Sequence, residues 1–144
     1  MSNNSKRVKR IVFAGLFFFV IMFIGVFCAL MYDSKKDVSE DERYAKCLNI
    51  PFKLKEHATI RWNANNLRFK NYSLILNEAS AYDTPEVKSV KIYQPGETVT
   101  FISAKSYSSL HVGTTYYLIG RDTLDTGEVI DFEYYYTGDF PLFE

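Results

Sequence analysis

The sequence has little of what builds metal centres or covalent cross-links: two cysteines and two histidines in 144 residues. Cys28 lies inside a long apolar run and Cys47 beyond it, so the two are not expected to pair, and no disulfide framework is available. Cys47 is expected as a buried thiol, with an intermolecular disulfide as the alternative. His57 and His111 have no cysteine or acid at metal-ligand spacing, so no metal site is expected from them. There is no Walker loop, no Gly-x-Gly-x-x-Gly and no Cys-x-x-Cys. Their absence excludes the usual phosphate cradle, dinucleotide turn and dithiol redox site, and no cofactor is expected. Ser108-Ser109 lies near His111 but in nothing like a nucleophile elbow. Internal repeats and low-complexity segments are also lacking.

Charge is missing altogether from Ile11 to Tyr32, 22 residues that read IVFAGLFFFVIMFIGVFCALMY. A helix of that length spans roughly 33 Å, enough for a hydrocarbon core of about 30 Å. The run is longer than the apolar region of a cleaved signal peptide, and its end offers no Ala-x-Ala site. Phe27 before Cys28 is too large for a lipoprotein signal. Residues 11–32 are therefore expected to be an uncleaved signal-anchor helix, a single membrane span. Lys6, Arg7, Lys9 and Arg10 precede it without an acid, whereas residues 33–46 mix both signs. This bias predicts a cytoplasmic N-terminus, residues 1–10, and an extracytoplasmic C-terminal domain. In a bacterium that domain would face the periplasm or the outer cell surface.

Ser39-Glu40-Asp41-Glu42 fits a capping box, and Tyr44, Cys47 and Leu48 share one helical face. Residues 33–57 are thus expected as a juxtamembrane linker with a short helix of about ten residues, ended by Pro51. From residue 58 the apolar period becomes two. Leu67 and Phe69 alternate, then Leu74 and Leu76 continue on the opposite parity, so a bulge or turn is expected at Asn71-Tyr72. Lys88–Tyr93 and Thr98–Ala104 flank Gln94-Pro95-Gly96-Glu97, a type II turn signal, and are expected to pair as a hairpin. Thr114–Ile119 is apolar on both parities. In Glu128–Tyr136 the residues Ile130, Phe132, Tyr134 and Tyr136 should face the core, and Val129, Asp131, Glu133 and Tyr135 the solvent. The fold class expected for residues 58–144 is a small, mostly antiparallel all-β domain, a barrel or sandwich of six to seven strands.

Two fragments carry a chemical suggestion. Asp125-Thr126-Gly127 matches the triplet on which an aspartic protease carries its carboxylate, and Ile119-Gly120-Arg121-Asp122 resembles an element near the end of retroviral-type proteases. Their order is reversed here, and only 17 residues follow Gly127, too few for a flap and closing core. The segment is read as a turn between two strands, because Asp and Gly form turns readily. Its acids do not have the spacing of an EF-hand loop for calcium.

Charge distribution points elsewhere. Residues 53–70 hold Lys53, Lys55, Arg61, Arg68 and Lys70 against Glu56, a net of +4. Residues 121–144 hold Arg121 against Asp122, Asp125, Glu128, Asp131, Glu133, Asp139 and Glu144, a net of −6. Basic strands could pair with acidic ones inside the sheet. Alternatively, Arg61, Trp62, Arg68 and Lys70 form a basic-aromatic patch, with Asp131 and Glu133 an acidic one, for an anionic surface or a protein partner. These six residues are the candidate binding site. The expected role is a membrane-anchored binding or structural module in an envelope complex, with a protein partner and a possible homo-oligomer, and no nucleic acid. A membrane-tethered inhibitor of the immunity type is one alternative. An acid-dependent hydrolase using Asp125 or the Asp131/Glu133 pair is another.

Overall fold

A computed structural model of the chain describes residues 2–65, 67–77 and 83–138. The elements run α1 (Ser2–Leu30), β1 (Asp33–Asp37), α2 (Glu42–Ala45), β2 (Pro51–Lys53), β3 (Ala58–Asn63), β4 (Tyr72–Leu76), β5 (Val87–Tyr93), β6 (Thr98–Ser109), β7 (Gly113–Thr123) and β8 (Val129–Tyr136). The helix α1 contains Lys6–Leu30, a stretch of mean hydropathy 2.9 that is long and apolar enough to cross a membrane. Its large apolar side chains, Phe13 to Phe27, are exposed and take no part in a protein core. The chain forms two compact units: residues 1–33 with 108–113, and residues 34–107 with those from 114 onward.

The strands form one sheet in the order β1-β6-β7-β8-β4-β3-β5, with β2 also bound to β6. Pairing is mostly antiparallel, and the sheet does not close into a barrel. The link of β4 beside β8 is parallel, with Tyr72 opposite Phe132 and Ser73 opposite Glu133. The fold is therefore an apolar N-terminal helix followed by an all-β domain, as the sequence predicts. Among the described residues, those from 58 onward form six strands, within the expected six to seven, and residues 33–57 add β1 and β2 as well as the buried Leu54.

The core gathers around Phe101. Its ring lies 5.7 Å from that of Tyr134, 5.9 Å from Phe52 and 6.2 Å from Phe132. Ile60, Leu74, Leu118 and Ile130 complete it, all buried. The predicted inward face of β8 is thus observed for Ile130, Phe132 and Tyr134. Gly120 stands opposite Phe132 across β7 and β8. A Cβ on Gly120 would fall 2.2 Å from the Phe132 ring, so the ring occupies the space a side chain would need. Glycine within a strand marks such a close approach.

Three local expectations change. First, α2 is one turn long and is capped by Asp41, whose carboxylate accepts the Arg43 N–H. Ser39, the expected cap, is engaged elsewhere: its hydroxyl accepts the Ala104 N–H at 2.9 Å. The apolar face of Tyr44, Cys47 and Leu48 is nevertheless buried as expected. Second, residues 67–70 are a loop rather than a strand, and β4 begins at Tyr72, where the parity switches.

Third, β5 and β6 do not pair. The turn between them forms: Gly96 has φ +94°, and the Glu97 N–H donates to the Gln94 carbonyl at 3.1 Å. The strands then part to opposite regions of the sheet. Both edges of β6 are taken, one by β7 and the other by β1 and β2. Leu54 also claims the turn, donating to the Glu97 carbonyl at 2.8 Å and accepting from the Gly96 N–H at 2.7 Å.

The Gly120–Phe132 packing predicts a specific defect. Gly120→Ala forces a buried ring out of place and should cost about 1–3 kcal/mol, in the range of overpacked cores. Thermal unfolding of the detergent-solubilised chain should show a lowered midpoint. Adding Phe132→Leu to Gly120→Ala should cost less than the two single changes summed.

Candidate functional site

The six candidate residues fall into three places. Trp62 on β3, Lys70 on the preceding loop of β4 and Asp131 on β8 line one shallow groove of about 440 Å³, together with Arg121 and Tyr72. Arg61 and Glu133 line a second groove of about 370 Å³ with Tyr117 and Tyr135. Arg68 stands apart, its guanidinium 4.3 Å from the centre of the Tyr107 ring.

Within these grooves the opposite charges meet each other. Lys70 Nζ lies 2.8 Å from Asp131 Oδ2, and Arg121 Nε lies 2.7 Å from Asp131 Oδ1. The Arg121 guanidinium, with Lys70 beside it, holds the Asp131 carboxyl down to about 2 against the opposing effect of desolvation. Glu133 corrects the expected solvent face of β8, being only 5% exposed. Its carboxylate accepts three successive backbone N–H groups, from Arg68 at 3.3 Å, Phe69 at 2.7 Å and Lys70 at 3.0 Å. A buried carboxylate needs such donors, and here a loop brings them onto the outer face of the sheet. The basic and acidic segments thus pair within the domain.

The loop after β7 behaves as the turn reading requires. Gly127 has φ +83°, its N–H donates to the Leu124 carbonyl at 2.8 Å, and Leu124 N–H donates to Glu128 at 2.8 Å. Asp122 accepts from Lys91 Nζ at 2.6 Å and from the Tyr93 hydroxyl. Burial alone would raise the Asp122 pKa, but the hydrogen bonds from Lys91 and Tyr93 outweigh it and hold the group below the usual carboxylate range. Among the described residues, no three of His, Cys, Asp and Glu are placed to hold a metal ion. Cys47 is a free buried thiol, 4% exposed, and burial pushes its pKa up.

A further concavity of the domain was not among the candidates. It is a cleft of about 530 Å³ between α2 and the paired ends of β7 and β8, lined by Arg43, Tyr44, Lys46, Tyr116, Tyr135 and Tyr136, with the hydroxyls of Thr114, Thr115 and Thr137. Tyr116 stands opposite Tyr136, and Tyr117 opposite Tyr135. Tyr44 lies against Tyr116 at 5.5 Å and edge-on to Tyr136 at 5.8 Å. Arg43 covers the Tyr44 and Tyr116 rings at 5.4 and 5.8 Å, and Asp41 grips its guanidinium with contacts as short as 2.6 Å. Lys46 is exposed at the rim. The sequence signal was the repetition of tyrosine on both parities, Tyr116-Tyr117 and Tyr134-Tyr135-Tyr136, which exceeds what one core face can use.

No family model matches the chain, and no curated protein or solved structure matches it either.

Two outcomes are expected of these carboxylates. Asp131 and Asp122 have folded pKa values below the unfolded value of about 3.9, so the stability they contribute is present above that pH and is lost as pH falls toward 2. The urea midpoint should drop between about pH 4 and 2, and Asp131→Asn should make that drop shallower. Glu133→Gln should cost about 1.5–3 kcal/mol, the range for hydrogen bonds to a charged group. Hydrogen exchange should then show faster exchange at the Phe69 and Lys70 amides.

Proposed function

We propose that the chain is a membrane-anchored, extracytoplasmic binding module that acts by protein–protein contact through its tyrosine-lined cleft. The observation that carries this reading is the cleft itself. Tyrosine and arginine are the residues that most often dominate protein contact surfaces, because each combines a large apolar area with a polar tip. Tyr44, Tyr116, Tyr136 and Arg43 converge here, already packed on one another and therefore ordered before any partner arrives. Little side-chain freedom remains to be lost on binding.

The anchor reading rests on α1, with four bases before its apolar run and mixed charge after it, which favours a cytoplasmic N-terminus. A binding role is favoured over hydrolysis by the state of the acids. Asp131 is held between two cations and Glu133 on backbone amides, so both are engaged within the domain rather than turned toward a substrate.

A photo-crosslinking residue in place of Lys46, exposed at the rim of the cleft, should capture one protein in stoichiometric yield when the full chain is expressed in its native membrane. The same residue at Thr126, on the β7–β8 turn, should not. Equal or absent capture at both positions would sink the cleft as the contact site.

A further inference from the structure

The turn between β6 and β7 has the wrong composition for a turn in water. It reads Ser109-Leu110-His111-Val112-Gly113. Its geometry is ordinary: Gly113 has φ +73°, and the Val112 N–H donates to the Ser109 hydroxyl at 3.2 Å. Its side chains are not. Leu110 is 65% and Val112 51% exposed. The turns at 94–97 and 124–127 carry Pro, Gly, Asp and Thr at comparable places, as solvent-exposed turns do.

The place of this turn in the fold explains the difference. Residues 108–113 belong to the same compact unit as the apolar helix and Asp33. Only Met31 and Tyr32 separate α1 from β1. β1 lies beside β6, and the Val38 N–H donates to the Ala104 carbonyl at 2.9 Å. Asp37 meets Lys105 and Ser39 meets Ala104, so the chain after β1 steps back along β6, away from the turn.

We infer that Leu110 and Val112 insert into the bilayer crossed by α1, making the β6–β7 turn a second point of membrane contact. The inference rests on the anchor reading of α1. The lipid boundary supplies the apolar surroundings that the two side chains lack in water, and His111 between them has a ring suited to the polar headgroup level.

The test uses the full chain with Cys28→Ser, reconstituted in vesicles of phosphatidylethanolamine and phosphatidylglycerol. Single cysteines at position 110 or 112 carry an environment-sensitive fluorophore, and the buried Cys47 stays in place with the unsubstituted chain as blank. Position 126 is the comparison, since β7 extends over 11 residues between the two turns, or roughly 35 Å. Position 21, within α1, reports the anchor. Lipids brominated in their acyl chains should quench positions 110 and 112 several-fold more than 126. Quenching at 21 but not above the level of 126 at 110 and 112 would overturn the inference and leave the anchor standing. Absence of quenching at 21 would overturn the anchor and the inference with it.

Discussion

A single buried carboxylate organises the outer face of this sheet. Glu133 sits on β8 on the side that alternation assigns to solvent, yet it is covered, because it draws the amides of Arg68, Phe69 and Lys70 onto itself. Everything those three residues do follows from that anchorage. Phe69 is set against Tyr117, with ring centres 5.4 Å apart. Arg68 is carried over Tyr107, and Lys70 onto Asp131. Lys35 on β1 joins the same loop by bonding the Arg68 carbonyl at 2.5 Å. The carboxylate thus converts a segment with no secondary structure into a lid with fixed side chains, at the cost of making its own burial dependent on that lid.

The parts of the fold legible in the sequence were those that depend on one element alone. The uncharged run from Ile11 to Tyr32 announces a helix of membrane-spanning length without reference to any partner. The period of two in β8 places Ile130, Phe132 and Tyr134 inward because alternation is a property of a single strand. The break before Tyr72 was legible for the same reason. What was not legible required a second, distant segment. Nothing near Glu133 in sequence says that a loop more than sixty residues earlier covers it. Gly120 could be suspected of a close approach, but Phe132 as its neighbour emerges only from the register of β7 and β8.

The β5–β6 connection shows the same limit from the other side. Pro95-Gly96 and two alternating flanks are the strongest local hairpin signal in the chain, and the turn is present. Local signals specify turns, but pairing is a competition for edges, and β6 has no edge left once β1, β2 and β7 are bound. The candidate site followed the same rule. Charge counting found the residues that matter to one another, Lys70 with Asp131 and the 68–70 loop with Glu133, and these interactions hold the domain together. The tyrosine cleft, built where α2 meets two strand ends, left only the doubled tyrosines as its trace.

The strand order has a consequence for the birth of the molecule. In that order β8 joins β7 to β4, and so through backbone pairing it unites β1, β2, β6 and β7 with β3, β4 and β5. It is also the last of the described strands to be synthesised. Tyr72 meets Phe132 across sixty residues of intervening chain, a long closure that slows folding. Until β8 arrives, the nascent domain is two unjoined half-sheets, each with an open edge that invites pairing with a neighbour. A ribosome that stops short of residue 129 therefore does not make a smaller version of this domain; it makes two adhesive fragments on one tether.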